Sequence, residues 1–296
     1  MRVLYIPGII FFVSFLLCAN TNIYGQKVSG ELQFEQGKTL VIHMEIKTSV
    51  AQQAMGNAID FTADGSAIHS YKVTGTTTDN TTLHHEAKKI AFNFEGMGQK
   101  RSFDSDNEKD MAGQFGEPVK NILSKKFDVI IDPNGKVVTI RPEKMEPVKA
   151  DERLAIVLNM LKDITDVVYP PHKGEASFFK VLPPSPETEK GESWTDSLQN
   201  ETGKFKTIYT LSAITDSTII VDFKGTAATV SKAMMMGTET VTTMNSTSSG
   251  KIILDKATGI VKEKIIITES NGNTEAMGGT MPVTAKTTIT IHVKPE

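Results

Sequence analysis

The six histidines are the residues in this chain most able to bind a metal or move protons. His84 and His85 are adjacent, and adjacent side chains on a strand point to opposite faces, so they cannot hold one ion together. His85 falls on the more apolar face of its strand. The others fall on polar faces or have no ligand at a regular spacing: His43, His69, His172 and His292. The histidines therefore predict neither a metal site nor a cofactor.

The acidic stretch 104–110 looks like the start of a calcium-binding loop. In an EF-hand loop that begins at Asp104, the sixth position is glycine and the twelfth is glutamate. Here those positions hold Lys109 and Phe115. The stretch predicts a solvated loop, and an irregular calcium site is the alternative.

Three consecutive methionines, Met234, Met235 and Met236, offer soft thioether sulfurs. Such residues fill irregular gaps in a core, line an adaptable apolar pocket, or bind copper. Trp194, the single tryptophan, follows a proline-rich approach and is predicted to anchor that segment on a sheet. These four residues are candidate ligand contacts.

Known catalytic signatures are missing from the sequence. There is no G-x-S-x-G elbow, no S-x-x-K with its companion motifs, no H-E-x-x-H and no glycine-rich phosphate loop. We therefore expect a noncatalytic protein and name no catalytic residue. A hydrolase built from carboxylates that the sequence does not mark is a distant third alternative.

The N-terminus has the pattern of a cleavable secretory signal. Arg2 is followed by an almost unbroken apolar run over residues 3–17. Residues 1–25 are predicted to be the signal peptide, cut between Gly25 and Gln26, with a cut after Ala19 as the runner-up. We expect an exported protein, periplasmic or extracellular.

Removal of that segment leaves a weakly acidic chain without cysteine, and the net charge changes from -3 to -4. A chain with no basic block is a poor partner for nucleic acid or an anionic membrane. No later stretch approaches the roughly 20 apolar residues of a membrane span. The mature protein is expected to be soluble, without a transmembrane segment.

Ser197 and Ser217 lie in Asp-Ser-Leu and Asp-Ser-Thr sequences. These fit a short O-glycosylation signal used in Bacteroidota envelopes. Two ordinary turn serines are the alternative.

Alternating apolar and polar residues dominate the mature chain and predict half-buried strands of an antiparallel sheet. The clearest run is Thr39–Lys47. The other predicted strands centre on residues 90–94, 127–131, 205–211, 219–223 and 289–293. The sequence thus predicts a mainly β (α+β) fold in which a long, curled antiparallel sheet or half-barrel carries one amphipathic helix and one short helix.

The amphipathic helix is predicted over 151–168 and the short one over 118–126. The apolar stripe of the longer helix has a 3, 4 and 7 spacing, and its members are Leu154, Val157, Leu158, Leu161, Ile164 and Val168. We expect this stripe to pack on the concave face, and we include its first four members among the candidate ligand contacts.

One domain over residues 26–296 is predicted to contain two loosely similar halves, 26–149 and 192–296. A helix and a proline-rich bridge, 150–191, join them. Each half has a hairpin in which an aspartate opens the turn and a glycine closes it with positive φ, at Asp132–Gly135 and at Asp255–Gly259.

Four segments resemble an uncharacterised secreted family common in Bacteroidota: 102–105, 127–135, 191–194 and 255–261. They are turns and strand ends, so the resemblance implies a fold more than a chemistry. The layout of a long sheet interrupted by helices is also similar to periplasmic lipoprotein carriers, in which a half-barrel holds acyl chains.

From these features we expect a noncatalytic envelope protein that binds a hydrophobic or lipid-like small molecule in a concavity lined by aliphatic residues and methionine. The alternative is a structural or protein-interaction factor whose partner is an envelope protein, without a small ligand.

Overall fold

A computed structural model describes residues 27–54, 57–96, 98–142, 144, 161–168, 171–184, 187–235, 238–276 and 279–296. The strands in chain order are β1 (Lys27–Val28), β2 (Thr39–Ala54), β3 (Asn57–Thr76), β4 (Thr81–Gly96), β5 (Gln99–Asp104), β6 (Lys126–Ile131), β7 (Val137–Arg141), β8 (Thr188–Glu189), β9 (Ser193–Asn200), β10 (Gly203–Ile214), β11 (Thr218–Met235), β12 (Thr238–Asp255), β13 (Val261–Ala276) and β14 (Gly279–Pro295).

Twelve of these strands form one antiparallel sheet that is not closed into a barrel. Its order is β7-β6-β4-β3-β2-β14-β13-β12-β11-β10-β9, and β5 adds to β4. The first and last long strands of the chain, β2 and β14, therefore meet in the middle of the sheet. The predicted β-rich, antiparallel fold class is confirmed.

The predicted alternation places one face of the sheet in the core. On β2, Leu40, Ile42, Met44 and Ile46 are all buried, whereas the residues between them are half-buried or exposed. Because side chains alternate along each strand, strands that are hydrogen-bonded to each other place their buried residues on the same face of the sheet. We call this face the inner face and the opposite one the outer face.

One end of the sheet, the capped end, carries both predicted hairpin turns. Asp132 and Asp255 each accept backbone N–H groups of their own turn, and Gly135 and Gly259 have φ of 78° and 70°. Both features of the predicted turns are confirmed.

The segment that precedes β2 ties the two hairpins together. The N–H of Leu32 donates to the Pro133 carbonyl over 2.7 Å, and the N–H of the next residue, Gln33, donates to the Thr258 carbonyl over 2.9 Å. Two turns that are far apart in sequence are thus held by consecutive residues of one strap.

Three short helices lie within the described residues: α1 (Glu108–Met111), α2 (Gly116–Leu123) and α3 (Lys162–Thr165), the last followed by a 3-10 turn at Asp166–Val168. Each is too short to reach across a bilayer. The acidic stretch predicted as a loop ends in α1, because Asn107 caps that helix by accepting the N–H of Lys109.

The short predicted helix is α2, with different limits. It begins at Gly116, so Pro118 is its third residue instead of its first, a position where the missing N–H still costs nothing. It ends at Leu123 because the chain enters β6 at Lys126. Val119 and Ile122 are buried, and Leu123 is half-buried against the same core.

Candidate functional site

The predicted cover helix lies on the inner face where it can be followed. Leu161, Ile164 and Val168 are all 0% exposed. The other predicted stripe residues, Leu154, Val157 and Leu158, lie outside the described residues.

A glycine makes room for this contact. A Cβ on Gly65 of β3 would lie 2.4 Å from Cδ2 of Leu161 and 3.1 Å from Cδ1 of Ile164. The helix therefore rests directly on the β3 backbone, which only a residue without a side chain allows.

Strand register defines three successive rows that run across the middle of the inner face. The first, on the side of the capped end, is buried and apolar except at one position: Leu211, Val221, Ile252, Lys264, Ile291, Met44 and Ala67. The middle row is aromatic at one side and aliphatic at the other: Trp194, Tyr209, Phe223, Gly250, Ile266, Ile289, Ile46 and Gly65.

The third row is polar: Thr207, Gly225, Ser248, Thr268, Thr287 and Thr48. Hydroxyl groups pair between neighbouring strands, with Ser248 Oγ and Thr268 Oγ1 2.8 Å apart and Thr48 Oγ1 and Thr287 Oγ1 3.1 Å apart. Ser246 and Ser270 continue the pattern at 2.7 Å. Beyond the core, these long strands therefore carry small hydroxyl residues on the inner face.

Trp194 lies on the edge strand β9, which follows the proline-rich bridge. It is half-buried and stacks on Tyr209, with ring centroids 5.6 Å apart and planes 14° apart. Tyr209 in turn contacts Phe223, whose ring lies over Gly250, where a Cβ would be 2.7 Å from Cζ of Phe223. Burial raises the pKa of Tyr209, and the nearby Asp196 carboxylate raises it further. These rings form an aromatic wall on one side of the middle row.

Of the three methionines, Met234 and Met235 belong to β11, but their side chains lie outside the described residues, as does Met236. Met244 lies on the inner face of β12, with Sδ 2.8 Å from where a Cβ of Gly272 would be. One described methionine thus packs over a glycine of the neighbouring strand.

Lys264 lies on the inner face, although no sequence pattern singled it out as a candidate site residue. Its register partners are Ile252 and Ile291, which are 1% and 4% exposed. Among the described residues, no carboxylate forms an ion pair or hydrogen bond with its ammonium group. Burial lowers the pKa of Lys264, and the charge of Asp163 opposes that effect.

Asp163 lies on α3, and its side chain is exposed to solvent. Even so, desolvation raises the pKa of Asp163, and repulsion from the Asp166 carboxylate raises it further by a smaller amount. The charges of Lys162 and Lys264 lower the same pKa. Asp163 and Lys264 are thus charged groups that influence each other on the inner face without forming an ion pair.

His69 and His85 form a buried pair that the sequence did not predict. Nδ1 of His69 and Nε2 of His85 are 3.2 Å apart, both residues are 0% exposed, and His85 stacks on Phe127. Burial lowers the pKa of His69 to about 4 and that of His85 to about 3, so both are neutral at pH 7. The pair lies diagonally across β3 and β4, a relation that strand spacing alone does not reveal.

His84 points to the outer face, opposite to His85, as predicted. Its Nδ1 is 2.6 Å from Asp128 Oδ1, and its Nε2 is 3.5 Å from Glu86 Oε1. Lys126 and Lys88 bind the Glu86 carboxylate and lower its pKa to about 2. Since His84 has a carboxylate beside each ring nitrogen, it belongs to a cluster of charged side chains on the outer face.

The acidic residues that precede α1 form ion pairs with a lysine of β4. The Lys89 ammonium lies 3.0 Å from Asp104 and 2.7 Å from Asp106, in the stretch first compared with a calcium loop. Within the described ranges, no group of three or more His, Cys, Asp or Glu side chains is placed to hold a metal ion.

The two candidate modification sites lie at the surface. Ser197 is exposed on the edge strand β9, and Ser217 is exposed in the turn between β10 and β11. The predicted cleavage site, Gly25 and Gln26, lies outside the described residues.

The fold and this site define a class of protein: a wide, open antiparallel sheet with one face covered by short helices. The chain belongs to the family of unknown function DUF6263, which matches residues 78–142 and 175–261, just over half of the sequence. The turn and strand-end segments singled out from the sequence all fall within those two ranges.

Among solved structures, a lipovitellin chain from a study of its lipid–protein interactions has 11% identity and a TM-score of 0.49. The match covers 89% of this chain but only 26% of the lipovitellin chain. An outer-membrane channel from Pseudomonas putida F1 has 7% identity and a TM-score of 0.26, with 89% of this chain and 98% of the channel covered. A comparison with curated proteins gives no match. Neither structural likeness indicates a shared function at these TM-scores.

Proposed function

We propose that this protein is an exported, noncatalytic envelope protein that binds a hydrophobic or lipid-like ligand along the middle row of its inner face, over the part from Trp194 to Ile266. The observation that carries the proposal is the aromatic wall of Trp194, Tyr209 and Phe223. Along the middle row, the next apolar side chain after these rings is Ile266 on β13. The buried first row lies on one side of this strip, and the paired hydroxyls of Ser248 and Thr268 lie on the other. An apolar strip between a filled core and a polar border suits an elongated apolar molecule.

Trp194 provides the test, because it is the only tryptophan in the sequence. A fatty acid that carries a quenching spin label on its chain should quench Trp194 fluorescence in a saturable manner, since the ring would contact the bound chain. The control variant carries Trp194→Phe together with Ile208→Trp. Ile208 is 43% exposed and lies on the outer face of β10, so its fluorescence should show no saturable quenching.

Equal quenching of the two tryptophans would mean nonspecific adsorption and would remove the support for an inner-face site. Native mass spectrometry of protein from its own host adds a second readout. An adduct that organic extraction removes is expected, and a clean apoprotein mass would count against the proposal.

Export is proposed from the signal segment alone. The mature protein from the host should begin at Gln26, which N-terminal sequencing would check. A mature chain that retains residues 1–25 would contradict export by this route.

The second candidate function, an interaction factor, is favoured by the open edge of the sheet at β9. The opposite edge strand, β7, is partly covered, because Val137 exchanges backbone hydrogen bonds with Gly174 and Glu175. On β9, the register with β10 leaves the backbone of alternate residues, including Thr195 and Ser197, pointing away from the sheet. Such an edge can pair with a strand of a second copy.

Ser197→Pro and Ser197→Ala separate this possibility from the ligand proposal. Proline removes only an outward N–H and is tolerated on an edge strand, whereas alanine keeps the N–H. If edge pairing forms a dimer, light scattering should detect it in wild type and in the alanine variant but not in the proline variant. A monomer in all three proteins would exclude self-association through β9.

A further inference from the structure

Lys264 is an exception within the first row of the inner face. The other members of that row that flank it are buried aliphatic side chains, Ile252 on β12 and Ile291 on β14. A cationic side chain at such a position costs stability unless a negative group compensates its charge. A lysine is therefore an unexpected residue there unless it has a further role.

Within the ranges that the structure describes, only part of that compensation is supplied. Asp163 of α3 is the residue whose charge acts on Lys264, yet the two do not form an ion pair. The ammonium group has three N–H donors, and no described side chain accepts a hydrogen bond from them. It also retains partial solvent access, so a ligand can reach it.

The position of Lys264 relative to the middle row sets the geometry of a ligand. Ile266 is the next inner-face residue on β13, and the aromatic wall begins two strands away at Phe223. An apolar chain along the middle row would thus pass beside Lys264. Thr268 and Ser248 border the same strip on its far side.

We propose that Lys264 binds the anionic head group of an amphiphilic ligand whose apolar chain lies along the middle row. This inference rests on the proposed function and adds to it the chemical class of the ligand, a single-chain molecule that ends in a carboxylate or a phosphate. A charge-assisted hydrogen bond in a partly desolvated site favours such a head group over a neutral one.

Oleate, methyl oleate and a monoalkyl phosphate are the probes, and Trp194 fluorescence of the full chain measures their binding. Oleate should bind at least about tenfold more tightly than methyl oleate, as expected for one charge-assisted hydrogen bond. Comparison of oleate with the monoalkyl phosphate identifies the preferred anion. Lys264→Met should abolish the preference for the acid and leave the affinity for the ester unchanged.

Two further variants keep the test informative. Lys251→Met removes an exposed lysine from the outer face of β12 and should leave the preference for oleate intact. Asp163→Asn removes the negative charge that competes with the head group, so it should increase the preference. If Lys264 served only as a distant partner of Asp163, Asp163→Asn would leave oleate binding unchanged.

The outcomes separate the two proposals. Equal binding of oleate and methyl oleate overturns the role of Lys264 but leaves the binding function standing. If none of the three probes binds saturably, both proposals are overturned.

Discussion

Gly65→Ala is the sharpest perturbation of the contact between α3 and the sheet. The added Cβ would lie 2.4 Å from Cδ2 of Leu161 and 3.0 Å from Cγ2 of Ile46. Carbon atoms in good contact are about 3.5–4.0 Å apart. Since Leu161 and Ile46 are 0% and 1% exposed, neither side chain can move into solvent to relieve the overlap.

The expected cost follows from two opposing terms. Overpacking of a filled core destabilises by about 1–3 kcal/mol. Restricting the unfolded chain by Gly→Ala stabilises by about 0.4–1 kcal/mol. The free energy of unfolding should therefore fall by about 1–2 kcal/mol.

A double-mutant cycle shows whether Leu161 is the cause. Leu161→Ala alone should cost about 2–5 kcal/mol because it leaves a cavity. In that background the 2.4 Å overlap is gone and only the contacts of 3.0 Å with Ile46 and 3.1 Å with Ile164 remain, so Gly65→Ala should cost less than in wild type, and the coupling energy should be about 1 kcal/mol.

Urea unfolding followed by circular dichroism measures these values. Gly75→Ala is the matched control on the same strand, since a Cβ there would meet no heavy atom within 4 Å. It should change the free energy of unfolding by less than about 0.5 kcal/mol or stabilise slightly. If Gly65→Ala costs the same in the wild-type and Leu161→Ala backgrounds, then α3 does not rest on Gly65, and the covered inner face is wrong.

Two other perturbations test the capped end and the buried histidines. His69 and His85 have folded pKa values of about 4 and about 3, below the usual 6.5, so the unfolded chain takes up their protons first as the pH falls. The two histidines therefore contribute fully to the free energy of unfolding only above pH 6.5. As the pH falls below that value the contribution is lost, and the loss reaches about 2 kcal/mol per histidine at pH 5. Urea midpoints at pH 7.5 and pH 5 should show this loss in wild type but not in the double variant with glutamine at both positions, and equal losses would contradict it. Gly135→Ala should destabilise more than Gly191→Ala: both glycines have positive φ, at 78° and 90°, but only the first would also place a Cβ 2.8 Å from Leu32. Equal melting temperatures for these two variants would mean that the strap does not pack on the hairpin.

Strand alternation and turn chemistry were sufficient to predict much of the fold. Ile42, Met44 and Ile46 alternate with the polar residues His43, Glu45 and Lys47, and only one pairing parity puts the apolar set on the inner face. Asp132 and Gly135 predict their turn because their chemistry is local. The limits of α2 were less certain, since neither Pro118 nor the following residues fix where a helix begins or ends.

The candidate site could be predicted only in part. The sequence identified Trp194 and Leu161, but it gave no reason to single out Lys264. Around Lys264, isoleucine occurs on both faces of β13, so the alternation does not reveal which face is buried. The division into two loosely similar halves and the roles of the remaining candidate residues stay predictions.

By itself, the sequence determined the local properties of this protein: which segments pleat, where they turn, which side of each strand is apolar, and the presence of a signal-like N-terminus. Tertiary structure decided which side chains meet. It joined β2 to β14, paired His69 with His85, and placed Lys264 between two isoleucines of neighbouring strands. The physical reason is that pairing register between distant strands sets these contacts, and register depends on the whole sheet.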